Sequence, residues 1–343
     1  MGPIRLSGFA PCDILGGCWH NLDVIRRSRC KTNGPSRRVD FSVSRDFPLA
    51  GVAMPRYACP MTRRRHRVLP LMLAQLFFLL YSSVPSWPSA PSEGEAVTFP
   101  SGELTLHGVL YKPDGAGPFP AIVYNHGSAP GMLSKEAFDA LGPVFAKNGW
   151  VFFGPYRRGQ GLSASAGKYI GDEISAATKT GGVTGGAATM VRLLETDHLS
   201  DQLAALAWLR MQKFVKADRI AVAGNSFGGI EAVLGAERGS YCAAIDSAGG
   251  AQSWAQAPEL QSLMTRSVRH SRAPIFFFQA ENDYDLSPSR VLSDAMKNAG
   301  KEFEVKIYPP FGNSLQDGHT FGYFGSTVWA DDVFRFLRKH CQT

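Results

Sequence analysis

The sequence predicts an α/β protein built on a mostly parallel β-sheet with helices on both faces. Strand-length runs that are apolar throughout alternate with helix-length segments, which is typical of strands buried on both faces. One such run, residues 220–223, stops at a glycine, and a helical run resumes at Ile230 after a single serine. The 343 residues are 44% hydrophobic and 19% charged, which is enough for a sizeable core.

The basic charge of the chain lies in its N-terminal segment. Residues 1–84 contain 13 Lys+Arg and 4 Asp+Glu, whereas residues 85–343 contain 23 and 25. The body of the protein therefore lacks the polycationic surface that binds nucleic acid, and no nucleic-acid partner is expected.

Residues 61–86, "MTRRRHRVLPLMLAQLFFLLYSSVPS", have the layout of a secretory signal peptide: a cationic cluster, an apolar run and a small-residue end. The alternative is an uncleaved membrane anchor. Pro70 and Gln75 interrupt an apolar run that is already short of the roughly 20 residues needed to cross a bilayer. We therefore expect export to the periplasm or the exterior, without stable membrane insertion of the mature chain.

A signal peptide works at an N-terminus, so we expect the natural chain to start near Met61 and residues 1–60 to be a non-native or disordered extension. A linker at 87–94 and one domain at 95–343 would follow. Four of the six cysteines lie in residues 1–60, which leaves Cys242 and Cys341. An exported location permits a disulfide between them without implying one, and their spacing indicates no metal site.

The predicted elements follow in order along the body. A β-hairpin is expected where "VTF" and "ELTLHGVLY" flank Pro100-Ser101-Gly102. The stretch "FPAIVYNHG" predicts a buried strand, "KEAFDALGPVFAKNG" a helix, and "WVFFGPYRRGQG" a second strand ending in glycines. Further strands are predicted at "RIAVAG", "CAAIDSAG", "PIFFFQA" and "EVKIYPP".

An insertion at residues 163–200 interrupts this rhythm. It is far longer than the roughly 15 residues that a crossover between parallel strands needs. Its stretch "TKTGGVTGGAAT" is flexible by composition, and "MVRLLETDHLSDQLAALAWLRMQ" predicts a helix. The insertion is either a decorated crossover or a lid over an active site.

The stretch "GNSFG" places Ser226 between a strand and a helix, where a nucleophile elbow would present it. The sharp turn crowds the neighbouring backbone, and Gly224 and Gly228 supply positions without side chains. The N-terminus of the following helix favours an oxyanion at this point. The alternative, a serine that only caps the helix, does not account for the preceding strand.

A serine hydroxyl requires a base that is held by a third group. His319 stands in "DGHTFG", a glycine-flanked loop after the last strand, and is the predicted base. The remaining histidines of the body are not predicted to be the base. They are His107, His126, His198, His270 and His340.

The predicted acid is Asp283, the first aspartate after the strand "PIFFFQA", with Asp285 as the alternative. Asp246 and Glu281 fit less well. A carboxylate at the end of this strand can accept from the imidazole and stabilise its charged form.

Backbone N–H groups are expected to stabilise the transition-state oxyanion. One is the N–H of Phe227, which follows the nucleophile; the other is that of Ser128, with Gly127 as second choice. One such donor is typically worth roughly 3 kcal/mol of barrier. His126 would brace the loop that carries the second donor.

Five ordered motifs resemble the α/β-hydrolase superfamily, most closely its dienelactone hydrolase and prolyl oligopeptidase-like branch. They are "YNHGS", "YRRGQGLS", "DRIAVAGNSFGG", "QAENDYD" and "DGHTFG", and the resemblance covers residues 95–340. It implies an α/β-hydrolase fold with an eight-stranded, mostly parallel sheet, a triad of Ser226, Asp283 and His319, and no cofactor. The order Ser, Asp, His along the chain is that of the superfamily.

One departure bears on the substrate. Dienelactone hydrolases use a cysteine nucleophile, whereas position 226 is serine. We therefore expect a serine hydrolase that cleaves ordinary small-molecule carboxylic esters through an acyl-enzyme. A single-domain serine peptidase and a non-catalytic binding protein are the alternatives. Arg158 in "YRRGQG" is expected to fasten its loop rather than to clamp substrate.

Overall fold

The computed structural model describes residues 94–129 and 133–341. The predicted N-terminal extension, the signal segment and residues 87–93 of the predicted linker lie outside the described residues. Within the described ranges, no helix is both long enough and apolar enough to cross a membrane.

Eight strands form one sheet in the order β1-β2-β4-β3-β5-β6-β7-β8, and all pairings from β4 to β8 are parallel. The strands are β1 (Glu95–Ser101), β2 (Leu104–Tyr111), β3 (Phe119–Asn125), β4 (Val151–Pro155), β5 (Val215–Asn225), β6 (Ala244–Ser247), β7 (Ile275–Ala280) and β8 (Phe303–Tyr308). β1 and β2 form the expected hairpin, and β2 pairs with β4 in the antiparallel direction. The eight-stranded, mostly parallel sheet predicted from the sequence is therefore confirmed.

The helices surround this sheet on both faces. They are α1 (Leu133–Lys147), α2 (Ile170–Leu193), α3 (Leu199–Arg210), α4 (Phe227–Arg238), α5 (Pro258–Arg269), α6 (Ser287–Asn298), α7 (Leu315–His319), α8 (Phe321–Phe324) and α9 (Ser326–Cys341). One core cluster joins the sheet to α2–α6, and a second joins the opposite face to α1, α8 and α9. Strands such as β4 and β7 are buried at every residue because both of their faces are covered.

The insertion at 163–200 contains more regular structure than its composition indicates. The whole stretch that was expected to be flexible, residues 178–189, lies inside α2, which breaks only at Gly182, where φ is 64°. A π-helical turn, Leu194–His198, then leads into α3. Thr178 satisfies its hydroxyl within the helix by donating to the Ile174 carbonyl, 2.8 Å away. The role of the insertion as a lid stays a prediction.

Cys242 and Cys341 form a disulfide, with their Cα atoms 5.3 Å apart. Cys242 lies two residues before β6, which begins at Ala244, and Cys341 is the last residue of α9. The bond therefore fastens the C-terminal helix to the start of a central strand. Its two cysteines are 99 residues apart, which is a long loop to close in the unfolded chain.

We expect the double variant Cys242→Ser/Cys341→Ser to fold but to be less stable than the oxidised wild type, by roughly 2–5 kcal/mol for a loop of this length. Urea unfolding under oxidising conditions measures the difference, and reduction of the wild type should bring its midpoint towards that of the variant. Equal midpoints for the oxidised wild type and the double variant would contradict the prediction.

Candidate active site

A sharp turn between β5 and α4 presents Ser226 at φ 60° and ψ −121°. Residues other than glycine rarely adopt this backbone conformation. Backbone crowding explains the glycines on either side. A Cβ on Gly224 would lie 2.1 Å from the Gly228 carbonyl oxygen, and one on Gly228 would lie 2.0 Å from the Asn125 carbonyl oxygen. The turn therefore forms only with glycine at both positions.

Ser226, His319 and Asp283 form one chain of hydrogen bonds. Ser226 Oγ lies 2.8 Å from His319 Nε2, and His319 Nδ1 lies 2.8 Å from Asp283 Oδ1. Both Asp283 and His319 are buried. Because the carboxylate only accepts, Nδ1 carries the imidazole hydrogen and Nε2 is left to accept from the serine hydroxyl.

Of the two aspartates after β7, it is Asp283 that contacts the imidazole. Its carboxylate also accepts from the Tyr284 N–H and from Gln279 Nε2, both at 2.7 Å. Asp285 instead accepts from the Ser287 N–H, 2.8 Å away, at the start of α6. The geometry therefore separates two residues that the sequence left as alternatives.

The backbone of His319 is held by a residue of the elbow that sequence reasoning missed. Asn225 Nδ2 donates to the His319 carbonyl at 3.0 Å, and Asn225 Oδ1 accepts from Ser247 Oγ at 2.9 Å. Tyr284 adds an edge-to-face contact on the imidazole, with ring centroids 5.3 Å apart. Asn225 occupies a position that the elbow motif leaves free, so no motif could have indicated it.

The loop after β3 approaches the same serine. The Gly127 N–H donates to the hydroxyl of Tyr323 at 2.6 Å, so this predicted oxyanion donor is engaged within the protein. Burial raises the pKa of Tyr323 to about 12. The Ser128 carbonyl accepts from the Tyr169 hydroxyl at 2.6 Å. Phe227 is the first residue of α4, where the helix itself supplies no acceptor for the N–H.

A buried ion pair lies behind this loop. Arg157 Nη2 is 2.6 Å from Glu231 Oε2, and both side chains are almost fully buried. Burial raises the pKa of Glu231 to about 7, while the charge of Arg157 acts in the opposite direction. Burial, followed by the same charge, lowers the pKa of His126 well below its ordinary value. The sequence signal for this pair was a single glutamate in the otherwise apolar start of α4.

Arg158 has the fastening role that was expected of it. Its guanidinium lies 2.7 Å from Asp201 Oδ1 and 3.1 Å from Asp197 Oδ1, on the segment that follows α2. These contacts join the loop after β4 to the insertion.

The fold and the elbow define the class of protein: an α/β-hydrolase. Residues 106–323, more than half of the chain, match the dienelactone hydrolase family, and the chain belongs to that family. No curated protein matches the sequence.

Three solved structures illustrate the likeness of fold. The acylaminoacyl peptidase of Pyrococcus horikoshii is 18% identical with a TM-score of 0.53, covering 74% of this chain and 42% of that one. The putative dienelactone hydrolase of Klebsiella pneumoniae subsp. pneumoniae MGH 78578 is 17% identical with a TM-score of 0.52, covering 74% and 100%. The Pyrococcus furiosus esterase is 17% identical with a TM-score of 0.52, covering 73% and 92%. The matched part of the peptidase is thus about two fifths of its length.

Besides Asp283 and Glu231, a further buried carboxyl lies on β6, next to the elbow. Asp246 Oδ1 accepts from the Gly249 N–H at 2.9 Å. Burial raises the pKa of Asp246 to about 7, because the folded protein keeps the charged form of this group away from water. Asp246 therefore costs stability once it ionises.

We expect Asp246→Asn to become more stable relative to the wild type as the pH rises from about 4 to about 7. In this window the folded wild type holds a proton that the unfolded chain releases, so only the wild type loses stability. The asparagine oxygen can still accept from Gly249. Urea unfolding of both proteins at pH 5 and pH 8 measures this, and a difference in unfolding free energy that is the same at both pH values would contradict it.

Proposed function

We propose that this protein hydrolyses carboxylic esters of small molecules through an acyl-enzyme intermediate. Ser226 is the nucleophile, His319 the general base and acid, and Asp283 the residue that orients and stabilises the imidazole. The observation that carries the proposal is the unbroken hydrogen-bond chain between these three side chains at the elbow.

In the proposed acylation step, Ser226 Oγ attacks the ester carbonyl carbon while its proton moves to His319 Nε2. The carbonyl oxygen becomes an oxyanion. Collapse of the tetrahedral intermediate breaks the bond to the alcohol oxygen, which takes the proton from His319. Water then repeats the sequence on the acyl-enzyme, releasing the acid and restoring Ser226. Asp283 holds the imidazole through its Nδ1 and balances the charge on the imidazolium.

The proposed oxyanion hole consists of the N–H groups of Phe227 and Ser128. Phe227 begins α4, whose dipole favours negative charge at this end. Ser128 follows Gly127, whose own N–H is bonded to Tyr323. Each donor would contribute roughly 3 kcal/mol to lowering the barrier.

Ester rather than peptide cleavage is favoured by the chemistry that the family name and one structural neighbour share. A lactone is an internal ester, and the Pyrococcus furiosus esterase matches this fold over 92% of its own chain. The disulfide between Cys242 and Cys341 supports the proposed export, since such bonds persist in oxidising compartments.

We expect the wild type to hydrolyse p-nitrophenyl acetate, butyrate and octanoate. Ser226→Ala should lower kcat by about 10⁶-fold and Asp283→Asn by about 10⁴-fold. Asp285→Asn is the matched control for Asp283→Asn, because its side chain binds the start of α6, and its kcat should stay near that of the wild type.

Acyl-amino-acid p-nitroanilides, assayed beside the p-nitrophenyl esters, distinguish a peptidase from an esterase. If p-nitroaniline is released in a Ser226-dependent reaction at rates equal to or above those for the esters, the protein is a peptidase and not an esterase. Ester hydrolysis that survives Ser226→Ala would refute the mechanism.

A further inference from the structure

The guanidinium of Arg157 contacts the loop that carries the proposed donor Ser128. Nη1 donates to the Gly127 carbonyl at 3.0 Å, and Nη2 donates to the His126 carbonyl. The Gly127 carbonyl and the Ser128 N–H belong to the same peptide group. Arg157 therefore fixes the plane of the peptide whose other end would bind the oxyanion.

The same guanidinium also contacts the residue that carries the other proposed donor. Its central carbon lies 4.7 Å from the centroid of the Phe227 ring, within the range of a cation–π interaction. His198 packs edge-on against the same ring at 5.9 Å. The Phe227 side chain thus contacts both Arg157 and His198, and these contacts restrain the first residue of α4.

His126 reinforces the contact with the Gly127 carbonyl. Its Nδ1 lies 2.7 Å from that oxygen, and its Nε2 accepts from the backbone N–H of Arg157 at 3.3 Å. The imidazole therefore carries its hydrogen on Nδ1 and donates it to the carbonyl. With two donors on its oxygen, the Gly127–Ser128 peptide is polarised, which makes its N–H a stronger donor.

Arg157 is itself held in one orientation. Glu231 accepts from Nε at 3.3 Å and from Nη2 at 2.6 Å, and Gln160 Oε1 accepts from Nη1 at 2.9 Å. Together with the two loop carbonyls, these acceptors engage all five N–H groups of the guanidinium. A lysine at this position would keep the charge but could not reproduce the planar five-donor arrangement.

We propose that Arg157 is a positioning residue for the oxyanion hole: one buried guanidinium aligns and polarises the Gly127–Ser128 donor peptide and packs against the side chain of Phe227, the residue that carries the other donor. This inference rests on the proposed function. None of the hydrogen bonds of Arg157 within the described ranges involves Ser226, His319 or Asp283, so its effect is exerted on the oxyanion and not on proton transfer. Because the charge on the substrate oxygen develops in the transition state, the effect belongs to kcat rather than to KM.

Arg158 offers a matched control on the same loop. It binds Asp201 and Asp197, and it has no hydrogen bond to residues 126–128 in the described part of the chain. A purely structural role for Arg157 predicts that Arg157→Lys and Arg158→Lys alter the kinetics alike.

The experiment compares the wild type with Arg157→Lys, Arg158→Lys and Ser226→Ala by kcat and KM on p-nitrophenyl butyrate, melting temperature, and Ki of an alkyl trifluoromethyl ketone. The ketone forms a tetrahedral oxyanion adduct with the serine. We expect Arg157→Lys to lower kcat by about 10- to 100-fold, less than the loss of a whole donor, with KM within about twofold. The Ki of the ketone should rise by the same factor as kcat/KM falls, and Arg158→Lys should leave both near the wild type.

Glu231→Gln keeps Arg157 in place but weakens its orientation, so it tests the inference even if Arg157→Lys does not fold; we expect the same pattern with a smaller loss. Equal kcat in the Arg157 and Arg158 variants overturns the inference. So does a fall in kcat/KM without a rise in the ketone Ki, and so does wild-type kcat in Glu231→Gln. If Ser226→Ala keeps wild-type activity, the proposed function itself fails, and the inference fails with it.

Discussion

The active site depends on the close contact of three backbone segments: the end of β3, the end of β5 and the first turn of α4. Gly228 lies directly against the Asn125 carbonyl, and Gly224 lies against Gly228. Any side chain at these positions would push the helix away from the sheet. The N-terminus of α4 would then no longer face the point where β3 and β5 end, and Ser226 would lose its alignment with the loop at Gly127.

From this contact the other parts of the site follow by topology. Parallel strands end at the same edge of the sheet, so the loops after β3, β5 and β7 meet there, bringing Gly127, Ser226 and Asp283 together. The segment after β8 returns to the same edge with His319, and Asn225 binds its carbonyl. The protein thus assembles its site from residues that are up to 192 positions apart in sequence, counting from Gly127 to His319, without any long loop bridging them.

The sequence predicts the sheet well because strands covered on both faces are mainly apolar, and "FFF" within β7 is an example. Gly224 and Gly228 are predictable because the turn leaves no room for a side chain at either position, and Ser226 is found from its place between them. The network around them is not predictable in the same way. Arg157 and Glu231 are 74 residues apart, and their pairing arises only after β4 and α4 have packed. The hydroxyl of Tyr323 reaches Gly127 across 196 residues, and neither residue type indicates the other. The glycine-rich part of α2 shows a different error: its composition favours flexibility, yet the chain is helical on both sides of Gly182.

The disulfide places the proposed catalytic residues in two parts of the chain, one inside the ring that it closes and one outside. The ring closed by Cys242 and Cys341 contains Asp283 and His319, whereas Ser226 and the loop at Gly127 lie outside it. A protease that cuts once inside the ring leaves one covalently connected molecule, with Asp283 and His319 still attached to Ser226. A cut between Ser226 and Cys242 separates them. The oxidised protein is therefore protected against fragmentation along the part of the chain that supplies the proposed acid and base.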